Sequence, residues 1–268
     1  MRHYETVRSK DGTSIAYERR GHGPPLVMVH GSSVDHTRWG GVVGALAERF
    51  TLLMVDRRGR GRSGDGPSYA IEREFEDVVA VLEASPEPAR VLAHSYGAIC
   101  CLEASRMTTR IERMALYEPP LPLPGQSPSF AAELAERFSG MLAAGDRALL
   151  LDTFLREVLH MPSREISRLR RSSGWQVRLD AAVTLPREVQ IATNYRFRPE
   201  RFARVDFPIM FLYGDCSPAY LQEGTYIAAA ALAGSRVQVL PGQGHGAMTF
   251  APKMFLEKVL PFLCGGSG

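Results

Sequence analysis

In Val91-Leu92-Ala93-His94-Ser95-Tyr96-Gly97-Ala98, an apolar strand-like run stops abruptly at a serine with small residues two positions to either side. A serine raised on a tight strand-to-helix turn needs strained backbone angles. The departing helix can approach the strand only where the neighbouring side chains are small. Ala93 and Gly97 meet that need, so the stretch reads as a nucleophile elbow presenting Ser95. Glycine is more usual at the position of Ala93, and alanine is the least bulky substitute.

A serine hydroxyl is a weak nucleophile at neutral pH and requires a positioned base. The best candidate is His245, in Leu240-Pro241-Gly242-Gln243-Gly244-His245-Gly246, a glycine-rich loop directly after an apolar run. Its backbone can bring an imidazole over the elbow. His94 adjoins the serine, but strand alternation is expected to aim its ring elsewhere. A second motif, His30-Gly31-Ser32-Ser33, ends another apolar run. There a backbone N–H can join the one after the nucleophile in holding an oxyanion, which assigns that hole to the amides of Ser32 and Tyr96. His30 is expected to brace the loop.

Further from the elbow, short apolar runs recur at Leu26 to Val29, Thr51 to Val55, Arg90 to Ala93, Ile111 to Tyr117, Ile209 to Tyr213 and Arg236 to Leu240. These read as strands buried on both faces. Helical patterns separate most of them: Trp39 to Arg49, Ile71 to Ala84, Tyr96 to Met107, Ala219 to Ala233 and Pro252 to Leu263. Strand–helix alternation implies an α/β fold with a mostly parallel, doubly wound sheet. His3 to Ser9 and Ser14 to Arg19 flank Asp11-Gly12, a type I′ turn signal, and should form an antiparallel hairpin at the sheet edge. From Pro119 to about Pro208 the alternation lapses into helical patterns (Ala131 to Ala144, Ala148 to Leu159, Ser163 to Arg171, Gln176 to Val183) behind a proline-rich connector, Pro119 to Gly125. This predicts a helical cap over residues 119–207, inserted into a core of 1–118 and 208–264 at the sheet edge where ligands bind. Gly265-Gly266-Ser267-Gly268 reads as an appended linker outside the fold.

The 268 residues, with 45% apolar side chains, suffice for one substantial domain core. A formal charge of +3 from 32 basic and 29 acidic residues spread along the chain leaves no basic face for nucleic acid. Arg57, Arg58, Arg60 and Arg62 cluster among glycines and read as solvated or ion-paired structural charges. Cys100, Cys101, Cys216 and Cys264 lack metal-ligand spacing. With no leader-like or membrane-length apolar run, a reduced, cytoplasmic protein is expected. No spacing implies a metal or an organic cofactor, a small-molecule substrate is the expected partner, and the oligomeric state is not readable.

His30-Gly31, Asp56-Arg57-Arg58-Gly59-Arg60-Gly61-Arg62-Ser63, the Ser95 elbow, the cap and Gly244-His245, in that order, resemble the α/β-hydrolase superfamily over nearly the whole chain. The acid departs from the usual pattern. Many members carry it as G-x-x-D on the strand before the histidine, where Gly214-Asp215-Cys216-Ser217 offers a serine in that slot and a carboxylate directly after glycine. Asp215 is one candidate. Glu118, ending the strand after the nucleophile helix, is the other; zearalenone lactonases and certain haloalkane dehalogenases place their acid there. Loop geometry favours Glu118; an unpaired carboxylate ending a buried strand would be costly to desolvate, and a partner such as His245 would explain it.

The resemblance implies an acyl-enzyme hydrolase of esters or lactones with an apolar moiety, while serine at the elbow argues against epoxide or haloalkane chemistry. Ser33, Trp39 and Trp175, with cap residues such as Phe130, Leu134, Phe138, Phe154, Leu155 and Met161, are candidates to line the pocket. The rival expectations are a receptor-like or otherwise inactive homologue, and a cofactorless oxygenase or haloperoxidase-like enzyme.

Overall fold

The structure, a computed structural model, describes residues 3–121 and 128–266, so Pro122 to Gly125 of the connector, Ser267 and Gly268 fall outside it, as does the side chain of Phe130. Two edge strands come first, β1 (His3–Arg8) and β2 (Ser14–Arg20). They pair antiparallel with Arg8 opposite Ser14, which leaves five residues between them. A two-residue type I′ turn is therefore not what forms. Instead Thr13 N donates to Asp11 Oδ1 at 2.9 Å and Gly12 alone takes a positive φ of 85°, an Asx-type reversal.

The chain continues through β3 (Pro25–Val29), α1 (Val43–Ala47), β4 (Thr51–Val55), α2 (Ile71–Glu83), β5 (Ala89–His94), α3 (Tyr96–Ala104) and β6 (Ile111–Tyr117). The helix expected from Trp39 to Arg49 is split. Asp35 caps a 3-10 turn, His36–Trp39, and the Gly40-Gly41 pair separates that turn from α1. After β6 come α4 (Pro128–Ala143), α5 (Arg147–Thr153), a π-helical turn (Phe154–Val158), α6 (Ser163–Arg170), α7 (Trp175–Ala181) and α8 (Leu185–Asn194). Pro186 in the first turn of α8 costs no intrahelical hydrogen bond. The chain then returns through β7 (Ile209–Gly214), α9 (Ala219–Ala231), β8 (Arg236–Leu240), α10 (Ala247–Phe250) and α11 (Pro252–Leu263). Gly265 and Gly266 belong to the fold after all: their amides bond the carbonyls of Phe262 (3.1 Å) and Pro261 (2.9 Å) and close α11, with Gly265 at φ 93°.

The strand order is β1-β2-β4-β3-β5-β6-β7-β8, antiparallel across β1, β2 and β4 and parallel from β4 onward. Side chains alternate across the sheet with period two. Leu26 and Met28 enter a layer with Trp39, Val42, Phe255 and Val259, whereas Val27 and Val29 pack with Phe75, Val78 and Ile99 on the other face. Burial on both faces explains the continuous apolar runs of the central strands, each filled position contributing about 1.5–3 kcal/mol. The edge strand β8 is the exception, with only Leu240 fully buried.

The chain steps from β3 to β4 on one side and then crosses back past β3 to β5 on the other, so a crevice opens at the carboxyl ends of β3 and β5. The helices between β6 and β7 have their own apolar centre, including Leu134, Phe138, Leu150 and Leu185. Buried ions bind them to the sheet domain. The Arg57 guanidinium meets both oxygens of Glu74 at 2.7 Å and reaches Glu188 of α8 at 2.6 Å, and Arg60 meets the same Glu188 oxygen at 2.5 Å. Arg58 pairs with Asp77 and Asp11. Replacing Glu188 with alanine leaves two buried guanidiniums short of charge. Chemical denaturation should find the variant about 3 kcal/mol less stable; a change under about 0.5 kcal/mol would show that this bridge does not hold the helices down.

Candidate active site

The carboxyl edge of the sheet gathers the predicted residues by register. Ala93 of β5 pairs with Leu116 of β6 and His94 with Tyr117, so Ser95 and Glu118, each the first residue past its strand, emerge side by side. The Ser95 backbone sits at φ 55°, ψ −127°, and its amide donates to Tyr117 O at 2.8 Å. Holding a non-glycine residue there costs on the order of 1–3 kcal/mol. The turn is tightly enclosed: a Cβ at Gly31 would lie 2.7 Å from Ser95 Cβ, and one at Gly97 would lie 2.3 Å from His30 O. The small residues around the elbow are thus steric necessities. All four non-glycine residues with positive φ among those described, Ser33, Ser95, Glu118 and His160, are at the cleft or next to residues lining it.

Glu118 is fully buried, at φ 49°. Its Oε1 accepts the Gly214 amide and the Ser217 hydroxyl, each at 2.6 Å, and its Oε2 bonds His245 Nδ1. Ser217, in the final slot of the G-x-x-D pattern, therefore serves the carboxylate of the neighbouring strand. Asp215 is exposed and points elsewhere, accepting the Gly242 amide at 2.7 Å and bracing the turn after β8. With Nδ1 on the carboxylate, Nε2 of His245 is the nitrogen available to the cleft that it shares with Ser95. Among the described residues no hydrogen bond joins Ser95 Oγ to that imidazole; such contacts often tighten only when substrate binds.

His94 does not point away from the site. Its ring lies 4.4 Å from that of His245, and its Nε2 donates to His245 O at 2.9 Å, which leaves Nδ1 a buried, unpartnered acceptor. Burial, the His245 imidazole and Arg38 hold its pKa well below the ordinary 6.5. Burial, Arg57 and Arg60 do the same for His30. The Arg57 amide donates to His30 Nε2 at 3.2 Å, so Nδ1 is the protonated nitrogen and contacts Gly31 O at 2.8 Å, the bracing role expected.

Both depressed values carry a stability consequence. Between its folded pKa and about 6.5, each histidine is protonated only in the unfolded chain, so stability falls as pH drops below that value. The slope approaches about 1.4 kcal/mol per pH unit for each. His36, raised by Asp56 against the opposing effect of burial, acts in a different window: its contribution is complete below about 6.5 and is lost as pH rises through the folded value. Denaturation midpoints at successive pH values should decline on acidification, less steeply in His94→Asn; an unchanged slope in that variant would contradict the assignment.

The amides of Ser32 and Tyr96 make no hydrogen bond among the described residues, and the latter is the first N–H of α3, which a helix leaves free. The Tyr96 side chain is turned into the interior, where its hydroxyl meets that of Tyr69 at 2.8 Å. Ser33 lines the cleft, but two other pocket candidates do not. Trp39 is buried in the sheet layer against α11, and Trp175 packs on the outer helices beneath the Arg170 guanidinium. Aromatic spacing alone could not say which face each occupies. The roof comes from Phe154 and Leu155 of the π-helical turn, with Leu159 and Met161. Leu134 and Phe138 fill the centre of the helical layer instead.

The cleft encloses only about 20 Å³, roughly the scale of one water. Larger recesses of about 660 and 410 Å³ lie elsewhere and include neither Ser95 nor His245. Two lining residues that the sequence did not single out are Arg38 and Arg178. The one cluster of possible metal ligands among the described residues, Asp35, His36 and Asp56, is knotted internally, with His36 Nδ1 2.6 Å from Asp56 Oδ1.

The chain belongs to the α/β-hydrolase family, whose family model matches residues 26–258. Its structure superposes on an α/β hydrolase from Sphaerobacter thermophilus with a TM-score of 0.83 and 32% identity, covering 97% of this chain and 100% of that one. The fold is also shared with the esterase RhEst1 from Rhodococcus, at a TM-score of 0.77 and 23% identity over 98% of each chain. In sequence, a pimeloyl-[acyl-carrier protein] methyl ester esterase from Aeromonas hydrophila is 26% identical over 264 residues, 93% of this chain and 99% of that protein. A probable oxidoreductase, EphD, of Mycobacterium tuberculosis is 40% identical over 118 residues, but these are 41% of this chain and only 20% of that protein. No helix among the described residues is long and apolar enough to cross a membrane.

Proposed function

We propose that the chain is a serine-dependent hydrolase of carboxylic esters or lactones bearing an apolar moiety. The supporting observation is the carboxylate of Glu118 on Nδ1 of His245, in a cleft that also holds Ser95. Ser95 Oγ adds to the carbonyl carbon while Nε2 of His245 takes its proton, and the oxyanion formed is met by the amides of Ser32 and Tyr96. Collapse breaks the bond to the alcohol oxygen, which leaves with the proton from His245. Water then repeats the sequence on the acyl-enzyme and releases the acid and free Ser95. In a lactone the alcohol remains tethered and the product is a hydroxy acid. Glu118 fixes the imidazole tautomer and stabilises the imidazolium.

Residues 119–207 act in this scheme as a cap, and Phe154, Leu155, Leu159 and Met161 must shift to admit an acyl chain into so small a space. π-helical turns often occur at functional sites. The similarity to an acyl-carrier-protein methyl ester esterase over most of both chains agrees with ester chemistry. Initial rates on p-nitrophenyl esters of graded acyl length test the proposal: the protein should hydrolyse them in a Ser95-dependent way, and hydrolysis indifferent to Ser95 would overturn it.

A further inference from the structure

We propose that the cleft recognises a substrate with a second, anionic group, a carboxylate held by Arg38 and Arg178 while Ser95 attacks the ester carbonyl. This deepens, and rests on, the assignment of ester hydrolysis to the same site. Both arginines line the cleft with Ser95 and His245, and both are at least nine-tenths buried, at 8% exposure. Buried guanidiniums are normally matched by carboxylates, as Arg57, Arg58 and Arg60 are here. Arg38 and Arg178 are the exceptions.

Arg38 Nη1 donates to Thr249 Oγ1 at 3.1 Å and Nη2 to His245 O at 3.3 Å, both neutral acceptors, and its Nε is buried without a partner. The Arg178 guanidinium makes no hydrogen bond or ion pair among the described residues. Asp35 is the one carboxylate that acts on it appreciably, from beyond ion-pair distance, and Asp35 Oδ1 is already taken by the amide and hydroxyl of Thr37. Burial lowers the Arg38 pKa to about 10, and burial with repulsion from Arg38 lowers that of Arg178 to about 9. Two cations without a carboxylate in ion-pair contact, facing one small space, attract an anion, and planar guanidiniums suit a carboxylate through paired N–H donors. Once shifted to admit substrate, the apolar roof of Leu155, Leu159 and Met161 would cover a short hydrocarbon between the two ends. The substrate class is therefore a half-ester of a dicarboxylic acid, or a lactone that carries a carboxylate.

The test compares monomethyl with dimethyl esters of straight-chain dicarboxylic acids, in the unmodified protein and in Arg178→Met and Arg178→Lys. The half-ester should be preferred in kcat/KM by on the order of ten- to a hundredfold. Arg178→Met should bring the ratio of the two substrates to about one, mainly through KM, and Arg178→Lys should restore part of it. Ser95→Ala protein, titrated calorimetrically with the half-ester, should bind it and should lose that binding when Arg178→Met is added. Ser95-dependent hydrolysis with no preference for the anionic ester, or a preference that survives in Arg178→Met, would overturn the proposal. Binding that depends on Arg178 with no turnover of either ester would leave the anion subsite standing and refute the hydrolase assignment instead.

Discussion

Glu118→Gln should lower kcat for ester hydrolysis by on the order of 10³–10⁴ with KM little changed, whereas Asp215→Asn should stay within about threefold of the unmodified protein. The amide is nearly isosteric and can still accept from the Gly214 N–H and the Ser217 hydroxyl at Oε1. It offers no second anionic oxygen to Nδ1 of His245. An NH₂ group there would favour the wrong imidazole tautomer and leave the forming imidazolium without a counter-charge. Asp215 has no such contact, since its oxygen is engaged by the Gly242 amide at the surface. Steady-state kinetics on one p-nitrophenyl ester decide the point, and a larger loss with Asp215→Asn would return the acid to the position more usual in the family.

Ser95→Ala should cost at least about 10⁴ in kcat, leaving only the turnover that the oxyanion donors and substrate binding provide. The strained turn is imposed by its surroundings, with Gly31 and Gly97 against it and the amide at position 95 held by Tyr117 O, so the fold should survive the substitution. The same variant separates the alternatives. An oxygenase-like reaction using only His245 and Glu118 would persist without the hydroxyl, and a receptor would show no turnover to lose. Retention of more than about 1% of hydrolysis would mean that another group attacks the carbonyl.

Much of this architecture is legible in the sequence for a definable reason. Strands buried on both faces leave continuous apolar runs, and the elbow leaves small residues at fixed offsets from Ser95. The placing of His245 at the carboxyl edge is legible because glycines flank it after the last strand, and that of Glu118 because a carboxylate ends a buried strand. What was hidden depends on which way a side chain turns once the fold has formed. His94 turns back onto the His245 loop, although alternation along β5 suggested otherwise. Trp39 and Trp175 sit at helical spacings that cannot distinguish the sheet layer from the cleft. Ser217 acquires its role only when β6 and β7 lie side by side, and Arg38 and Arg178, on distant segments, form a pair only when the helices after β6 close over the sheet. Nothing local marks either arginine as lacking a carboxylate.

The most direct test is to mix the protein with a slowly hydrolysed p-nitrophenyl ester, quench it in acid within the first turnover, and map the mass increment by peptide sequencing. One acyl group should be found on Ser95, accumulating in unmodified protein and absent from Ser95→Ala. Turnover of the ester without an acyl adduct on Ser95, or with the adduct on another residue, would contradict it.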